Sequence, residues 1–544
     1  MPLTGSAHDA AAVAGVADLL GLAAVESPDK LALVEAGGRS LTWAQLEDEV
    51  GRLAGGLGTV GVVAGHRVAI ATANRIEFVA TYLAVLRVQA VAVPLNPRST
   101  GTELARMVGD SGARLIVADA DAIDAVREAI TYVDQAIAGD LDLGRLDAEL
   151  LPRAVRPQVF VVGVTPGPGE RAYDDLRADA ARPIPALTDP ERLAVLLYTS
   201  GTSGRPRGAM LTHRALVANV EQIAAVDPPM IHGDDVVLGV LPLFHVYGLN
   251  AVLGTVLRRR AKLLLVDRFE PQSTLDLIED EACSVVPVAP TVLAYWMQDP
   301  TLEERLGPVR LLLSGSAPLD PGLVEAFTAR TGVPVHQGYG LTEAAPAVTS
   351  TLCSAALEPG SVGAALPGVE IRLLAEDGAP PENGDPGEIL VRGANLFSGY
   401  WPDGAERPGE DGWWATGDVG FLSPAGDLTL VDRLKDLVIV SGFNVYPVEV
   451  EDVIAAVEGV VDVAVIGVPD EVTGEAVVAY VVPAPDAAPD LDARVRARCA
   501  ERLAGFKQPS RLELVEELPH TATGKVQKGR LRTIARRRGF GLLE

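Results

Sequence analysis

Sixteen consecutive residues, Tyr198-Thr-Ser-Gly-Thr-Ser-Gly-Arg-Pro-Arg-Gly-Ala-Met-Leu-Thr-His213, have the composition of a cradle for a polyanion. The six from Thr199 to Gly204 are hydroxyl or glycine residues. Such a run cannot pack a core, but it offers many backbone N–H and hydroxyl donors. Gly201, Gly204 and Gly208 let the backbone come close to a ligand. Arg205 and Arg207 add cationic donors. The apolar run Leu193 to Leu197 just before it reads as a buried strand. That makes the stretch a phosphate loop after a strand rather than a flexible Ser/Gly linker. The Gly-Lys-Ser/Thr ending of a Walker loop is missing, which disfavours a generic P-loop NTPase.

Further polar punctuation follows at intervals. Gly338-Tyr-Gly-Leu-Thr-Glu343 comes after the short apolar run Val333 to His336. Ala415-Thr-Gly-Asp418, Asp432-Arg-Leu-Lys-Asp436, Ser441-Gly-Phe-Asn-Val-Tyr-Pro447 and Thr523-Gly-Lys525 complete the series. In this order and spacing they strongly resemble the adenylate-forming superfamily: acyl-CoA synthetases, 4-coumarate-CoA ligases, luciferases and peptide-synthetase adenylation domains. The resemblance covers the chain from about Leu31 to Leu531.

The resemblance implies an acid–thiol ligase that uses ATP, Mg²⁺ and coenzyme A. A carboxylate attacks the α-phosphate of ATP, pyrophosphate leaves, and a thiol then displaces AMP. Thr199, Ser200, Gly201, Thr202, Ser203 and Gly204 would hold the β- and γ-phosphates, and Arg207 stands where relatives usually carry lysine. Thr342 would donate to the α-phosphate. Glu343 would be the Mg²⁺ ligand, since that ion takes one or two carboxylates plus phosphate oxygens. Tyr339, between Gly338 and Gly340, would stack on adenine, with Gly315, Ser316 and Ala317 on the other side. Asp418 would accept from the ribose hydroxyls, and Arg433 would approach ribose and phosphate. Lys525 would contact the reacting carboxylate and α-phosphate, a fixed cation aimed at developing charge. Lys435 would be the hinge about which the last domain rotates between the two half-reactions. Ser441, Gly442 and Phe443 would then line the thiol tunnel.

The acid pocket falls, by the same resemblance, on Leu241-Pro-Leu-Phe-His-Val-Tyr-Gly-Leu-Asn250. Phe244, His245, Tyr247 and Gly248 would form its wall, His245 as a gate, with Gly338 and Gly340 leaving room for a chain or a ring. Amino-acid-activating relatives place an Asp soon after the Phe, and none stands here. The segment is similar to both fatty-acyl and 4-coumarate ligases; fatty acids are favoured, of medium or long chain. Coenzyme A is favoured over an acyl carrier protein as acceptor. A non-catalytic nucleotide-binding protein on the same fold is disfavoured because Glu343 and Lys525 are both present.

The elements that must position these residues alternate. Thr42, with Gln45 three residues on, caps a helix. Arg67 to Ala71, Val91 to Leu95 and Leu115 to Ala118 read as buried strands, so helices should cover parallel sheets. Residues 134–190 are Asp-, Pro- and Gly-rich and read as a surface excursion. Residues 360–430 read as a β-rich subdomain. Val448 to Val457 and Leu491 to Leu503 read as helices, and Val461 to Val468 and Ala476 to Val482 as strands. The fold class is therefore α/β: a large domain over residues 1–433 and a small mobile α+β domain over 434–544.

The totals agree. A chain of 544 residues is too long for one core. A net charge of −27 speaks against nucleic acid and against docking on anionic lipid. Cys283, Cys353 and Cys499 are too far apart for a metal site or a disulfide framework, so a cytoplasmic location fits. The apolar stretch Ala10 to Val25, interrupted by Asp18, reads as an amphipathic surface helix. Of the 46 basic residues only six are lysine: Lys30, Lys262, Lys435, Lys507, Lys525 and Lys528. Each is worth asking about, because arginine cannot replace lysine where a compact point charge is needed.

Overall fold

The computed structural model describes residues 13–535 apart from 140–149, 151, 182, 201–205, 317, 318, 320, 357, 359, 376–378, 382–386, 434–437, 446, 486, 520–525, 527, 529, 530, 533 and 534. Its larger part is built on two seven-stranded sheets. One runs in the order Glu170–Ala172, Gln158–Val161, Leu115–Ala118, Arg67–Ala71, Val91–Pro94, Leu193–Ser200, Pro206–Thr212. All its pairs are parallel except the last, where Leu193–Ser200 folds back on Pro206–Thr212. The other runs Val335–Gln337, Leu311–Ser314, Val285–Val288, Val236–Gly239, Lys262–Leu265, Leu31–Glu35, Ser40–Thr42, again parallel but for the last pair.

Helices fill the space between the sheets. Ile76–Arg87 is apolar nearly all round, and every residue from Ile76 to Leu86 is buried, as an inner helix must be. Trp43–Thr59 begins on the capping box expected: the Thr42 hydroxyl accepts from Gln45 N–H at 3.2 Å, and the Gln45 side chain accepts from Thr42 N–H at 2.9 Å. The helix expected on the surface near the N-terminus is Val16–Glu26, but Val16, Leu19, Leu20 and Ala23 are buried in the same inner core, so that face packs inside rather than lying on the surface. Smaller clusters cover the outer faces.

Residues 134–190 depart from the expected surface excursion. Gln158–Val161 is a strand inside the first sheet, paired with Leu115–Ala118, and Val159, Phe160 and Val161 are buried. A four-residue strand gives no window long enough to show a period, so tertiary pairing decides it.

Residues Val369–Arg433 supply an antiparallel four-stranded sheet. Beyond it lies a five-stranded sheet built from Val438–Val440, Phe443–Val445, Val460–Asp470, Gly474–Pro483 and Arg511–Leu514. Helices Pro447–Ala455 and Leu491–Arg502 cover one face through Val450, Ile454, Val495 and Cys499. Among the described residues, no helix is long and apolar enough to cross a membrane.

Candidate active site

The hairpin Leu193–Ser200 and Pro206–Thr212 keeps its register to the ends of the phosphate loop, with Thr199 opposite Arg207 and Ser200 opposite Pro206. Gly201, Thr202, Ser203, Gly204, Ala317, Lys435 and Lys525 lie outside the described residues, as do the side chains of Ser200 and Arg433. The Arg433 backbone pairs with Asp418 across two antiparallel strands.

The other sequence-derived residues converge. Thr199, Arg207, His245, Tyr247, Gly315, Ser316, Gly338, Tyr339, Gly340, Thr342, Glu343, Asp418 and Gly442 border one cavity of about 590 Å³. Its polar end is fixed by hydrogen bonds. The Tyr339 hydroxyl donates to Asp418 Oδ2 at 2.7 Å. The Tyr400 hydroxyl donates to Glu343 Oε1 at 2.5 Å. The Arg207 guanidinium lies 3.6 Å from the centroid of the Tyr400 ring and pairs with Glu406 at 2.9 Å. Burial pushes the Glu343 carboxyl above its ordinary range, while the Tyr400 hydrogen bond and the Arg207 charge oppose that rise.

Three asparagines hold the turn that carries Thr342 and Glu343. Asn395 donates to Ala344 O at 2.7 Å, Asn250 to Ala345 O at 2.7 Å and Asn219 to Ala347 O at 2.8 Å. Ala345 takes a left-handed φ of 62°, costly for a residue with a Cβ, and these bonds hold it there. Neither Tyr400 nor the asparagines stand out in the sequence. They act across 51 to 128 residues of chain, where local spacing carries no signal.

A second, narrower cavity of about 140 Å³ is bordered by Pro94, Tyr198, Phe244, Phe443 and Phe506. Thr199, His245 and Thr342 border both cavities, so the two meet there. Phe244 stacks on Phe443 at 6.4 Å between centroids, and Phe443 on Phe506 at 4.5 Å. Ser441 and Gly442 both take left-handed φ values, 51° and 82°, and a Cβ on Gly442 would lie 3.8 Å from that of Ser316. The loop after Val440 thus reaches from the small sheet to the large cavity. Burial lowers the His245 pKa to about 4, so its imidazole is neutral at neutral pH. Burial likewise raises that of the Tyr247 hydroxyl.

The residues expected to wall the acid pocket do not all border one cavity. Phe244 borders the narrow cavity and not the large one. Gly248 borders neither; a Cβ there would lie 2.4 Å from Pro242 O. Gly338 and Gly340 do border the large cavity, but their smallness serves the backbone. A Cβ would meet Thr349 O at 2.7 Å and Pro346 O at 2.4 Å respectively.

The AMP-binding enzyme family matches residues 22–401, and the AMP-binding enzyme C-terminal domain matches residues 449–525. The chain belongs to the AMP-binding enzyme family. It is 34% identical to 4-coumarate--CoA ligase-like 9 of Oryza sativa subsp. japonica, over 93% of this chain and 90% of that one. It is 33% identical to a long-chain-fatty-acid--CoA ligase of Bacillus subtilis (strain 168), over 93% and 92%. Among solved structures it is similar to the amide bond synthetase McbA from Marinactinospora thermotolerans, with a TM-score of 0.81 at 30% identity, over 96% of this chain and 99% of that one. An o-succinylbenzoate CoA synthetase (MenE) from Bacillus subtilis bound with its product analogue OSB-NCoA gives 0.77 at 27% identity, over 95% and 98%. ATP-bound MatB from Rhodopseudomonas palustris gives 0.67 at 34% identity, over 95% and 98%. The protein is thus an acid–thiol ligase of the adenylate-forming superfamily, whose AMP-forming CoA ligases use ATP, Mg²⁺ and coenzyme A.

Proposed function

We propose that this ligase activates a medium- or long-chain fatty acid as its acyl-AMP, with release of pyrophosphate, and passes the acyl group to coenzyme A. The observation that carries the reading is the meeting of two cavities at Thr199, His245 and Thr342. The large one joins a polar end, suited to a nucleotide, to an aliphatic wall of Ile223, Met230, Ile231, Val252 and Leu366. An alkyl chain is accepted there by area alone, with no hydrogen bond required. The narrow one, walled by aromatic rings, suits a thin thiol arm.

The residues fit the groups that the reaction needs. Among the described residues, no set of three or more His, Cys, Asp or Glu could hold a metal. Mg²⁺ shared between one carboxylate and phosphate oxygens needs no such set, and Glu343 is a buried carboxylate at the polar end, where the other, Asp418, is held by Tyr339. Bound there, Mg²⁺ would neutralise phosphate charge. Thr342 would donate to the α-phosphate, Asp418 would receive the ribose, and Tyr339 would both hold Asp418 and lie against the base. Neutral His245 would stand between acid and thiol as a gate without adding charge.

The placement of the C-terminal part fits the thiol step. MatB is more identical to this chain than McbA or MenE, yet superimposes less well over the same share of residues. A different placement of the two parts, as a hinge near Lys435 would allow, would account for that order. The hinge near Lys435 and a cytoplasmic location belong to the same proposal.

An aryl acid is the second reading. The Tyr247 side chain borders the large cavity, and its hydroxyl would suit a phenol. Acid-dependent ATP–pyrophosphate exchange over saturated C8 to C18 acids, 4-coumarate and ferulate separates the two. Higher kcat/KM for the aryl acids would overturn the fatty-acid assignment. AMP release with a phosphopantetheinyl carrier protein, but not with free coenzyme A, would overturn the acceptor.

A further inference from the structure

Lys507 sits where the small C-terminal sheet meets the large part of the molecule. Its ammonium lies 3.1 Å from Glu103 Oε1 and 2.8 Å from Glu449 Oε1. All three side chains are nearly buried, at 11% exposure for Lys507 and 7% for each carboxylate. Burial alone would lower the pKa of the ammonium, but the Glu449 and Glu103 charges outweigh it and hold it above the ordinary lysine range. Glu449 belongs to the small part, on helix Pro447–Ala455. Glu103 belongs to the large part, in the first turn of helix Gly101–Ser111.

Glu103 is used from both sides. Its Oε2 accepts the Thr100 N–H at 3.0 Å and completes a capping box on its own helix. Its Oε1 accepts from Lys507 and from the Ala504 N–H at 3.3 Å, both from the other part. Between Ala504 and Lys507 stands Phe506, the ring that stacks on Phe443, which in turn stacks on Phe244 of the large part. The three rings wall the narrow cavity. One carboxylate therefore anchors both ends of the short segment that carries the tunnel wall.

We infer that Lys507, acting through Glu103, is a positioning residue for the thiol step: the interdomain ion pair forms only when Phe506 and Phe443 are placed to extend the tunnel to His245. The inference rests on the two-step reading above. If the two parts separate, Lys507 keeps Glu449 while Glu103 returns to water, so the pair biases the arrangement without being needed for either part to fold. A buried ion pair is weak evidence for net stability but suits a register device. The choice of lysine fits: a point charge can be shared by two carboxylates that do not face one planar fork, in a chain that uses lysine for six of its 46 cations.

Glu103→Gln tests this cleanly. Glutamine keeps the capping box and leaves Lys507 paired with Glu449 inside the small part. Two rates are compared with dodecanoic and 4-coumaric acids in parallel: acid-dependent ATP–pyrophosphate exchange, and thioester formation from preloaded acyl-AMP and coenzyme A. The ratio of thioester formation to exchange is expected to fall about tenfold, the loss typical of one charge-assisted bond. Lys507→Met should lower the same ratio, and the double variant should lose less than the product of the two losses. Amide hydrogen exchange over Leu503–Gln508 should accelerate in both single variants, a readout that needs no substrate. A ratio within twofold of wild type, or unchanged amide exchange, overturns the positioning role. Absence of exchange by wild type with either acid counts instead against the substrate reading, and amide exchange then decides the positioning role by itself.

Discussion

Tyr400 joins two parts of the site that the sequence keeps far apart: its hydroxyl donates to Glu343 Oε1 at 2.5 Å, and its ring carries the Arg207 guanidinium at 3.6 Å. The carboxylate that would face the cation and the arginine at the exit of the phosphate loop are thus held by one side chain. Arg207 is less a free cation than lysine would be, because its planar group is stacked on Tyr400 and paired with Glu406.

Tyr400→Phe removes the hydrogen bond and keeps the stack. A hydrogen bond to a charged group is worth about 1.5–3 kcal/mol, so kcat/KM for pyrophosphate exchange should fall roughly 10- to 100-fold. The Mg²⁺ concentration for half-maximal exchange should rise in the same variant. Thioester formation from preformed acyl-AMP should change far less. Equal losses in both steps would show that Tyr400 serves the fold and not Glu343.

Gly340→Ala tests why glycine stands in the wall of the large cavity. Its Cβ would lie 2.4 Å from Pro346 O, and a backbone carbonyl cannot swing away. The Thr342–Glu343 turn must shift, so exchange should fall at least 100-fold for every acid in a length series, by analogy with the cost of a misplaced catalytic group. Selective loss of the longer acids alone would mean that the missing methyl makes room for substrate.

Much of this could be read from the chain because it depends on local pattern. The Thr42–Gln45 capping box, the buried strands and the glycine-flanked motifs each declare themselves within a few residues. What stayed hidden depends on distant partners. Gln158–Val161 is a strand because Leu115–Ala118 lies beside it. Asn219, Asn250 and Asn395 look like ordinary polar residues until they meet the same turn. The glycines of Gly338-Tyr-Gly340 were visible, but the carbonyls that require them were not. Lys507 stands out only by the rarity of lysine, and nothing in the sequence around Glu103 announces a second partner.

Lys525→Ala addresses the residue on which the first half-reaction is expected to turn. A fixed cation at the reacting carboxylate and α-phosphate contributes on the order of 3–4 kcal/mol to a transition state. Exchange should fall by about 10²–10³, while thioester formation from preformed acyl-AMP should persist. Near-normal pyrophosphate release by the variant would remove Lys525 from the chemistry.

Stability towards acid should carry the mark of His213. It is the first residue of helix His213–Ala224, packed so close to Gly15 that a Cβ there would lie 2.8 Å from Nδ1. Both ring nitrogens are buried without a hydrogen-bond partner among the described residues. Burial, with Arg192 nearby, lowers its pKa to about 4 despite the Asp18 charge. In the unfolded chain the ring binds a proton near pH 6.5. Between pH 6.5 and 4 the unfolded state therefore holds more protons than the native state, and stability falls as pH falls through that window. His245, lowered in the same way, adds to the same limb. From pH 7.5 to 5.5 the His213 share is roughly 1 kcal/mol. Urea unfolding of wild type and His213→Leu at those two values should show the wild type losing that much more. A parallel loss in the variant would place the acid sensitivity elsewhere, with His245→Leu the next substitution to compare.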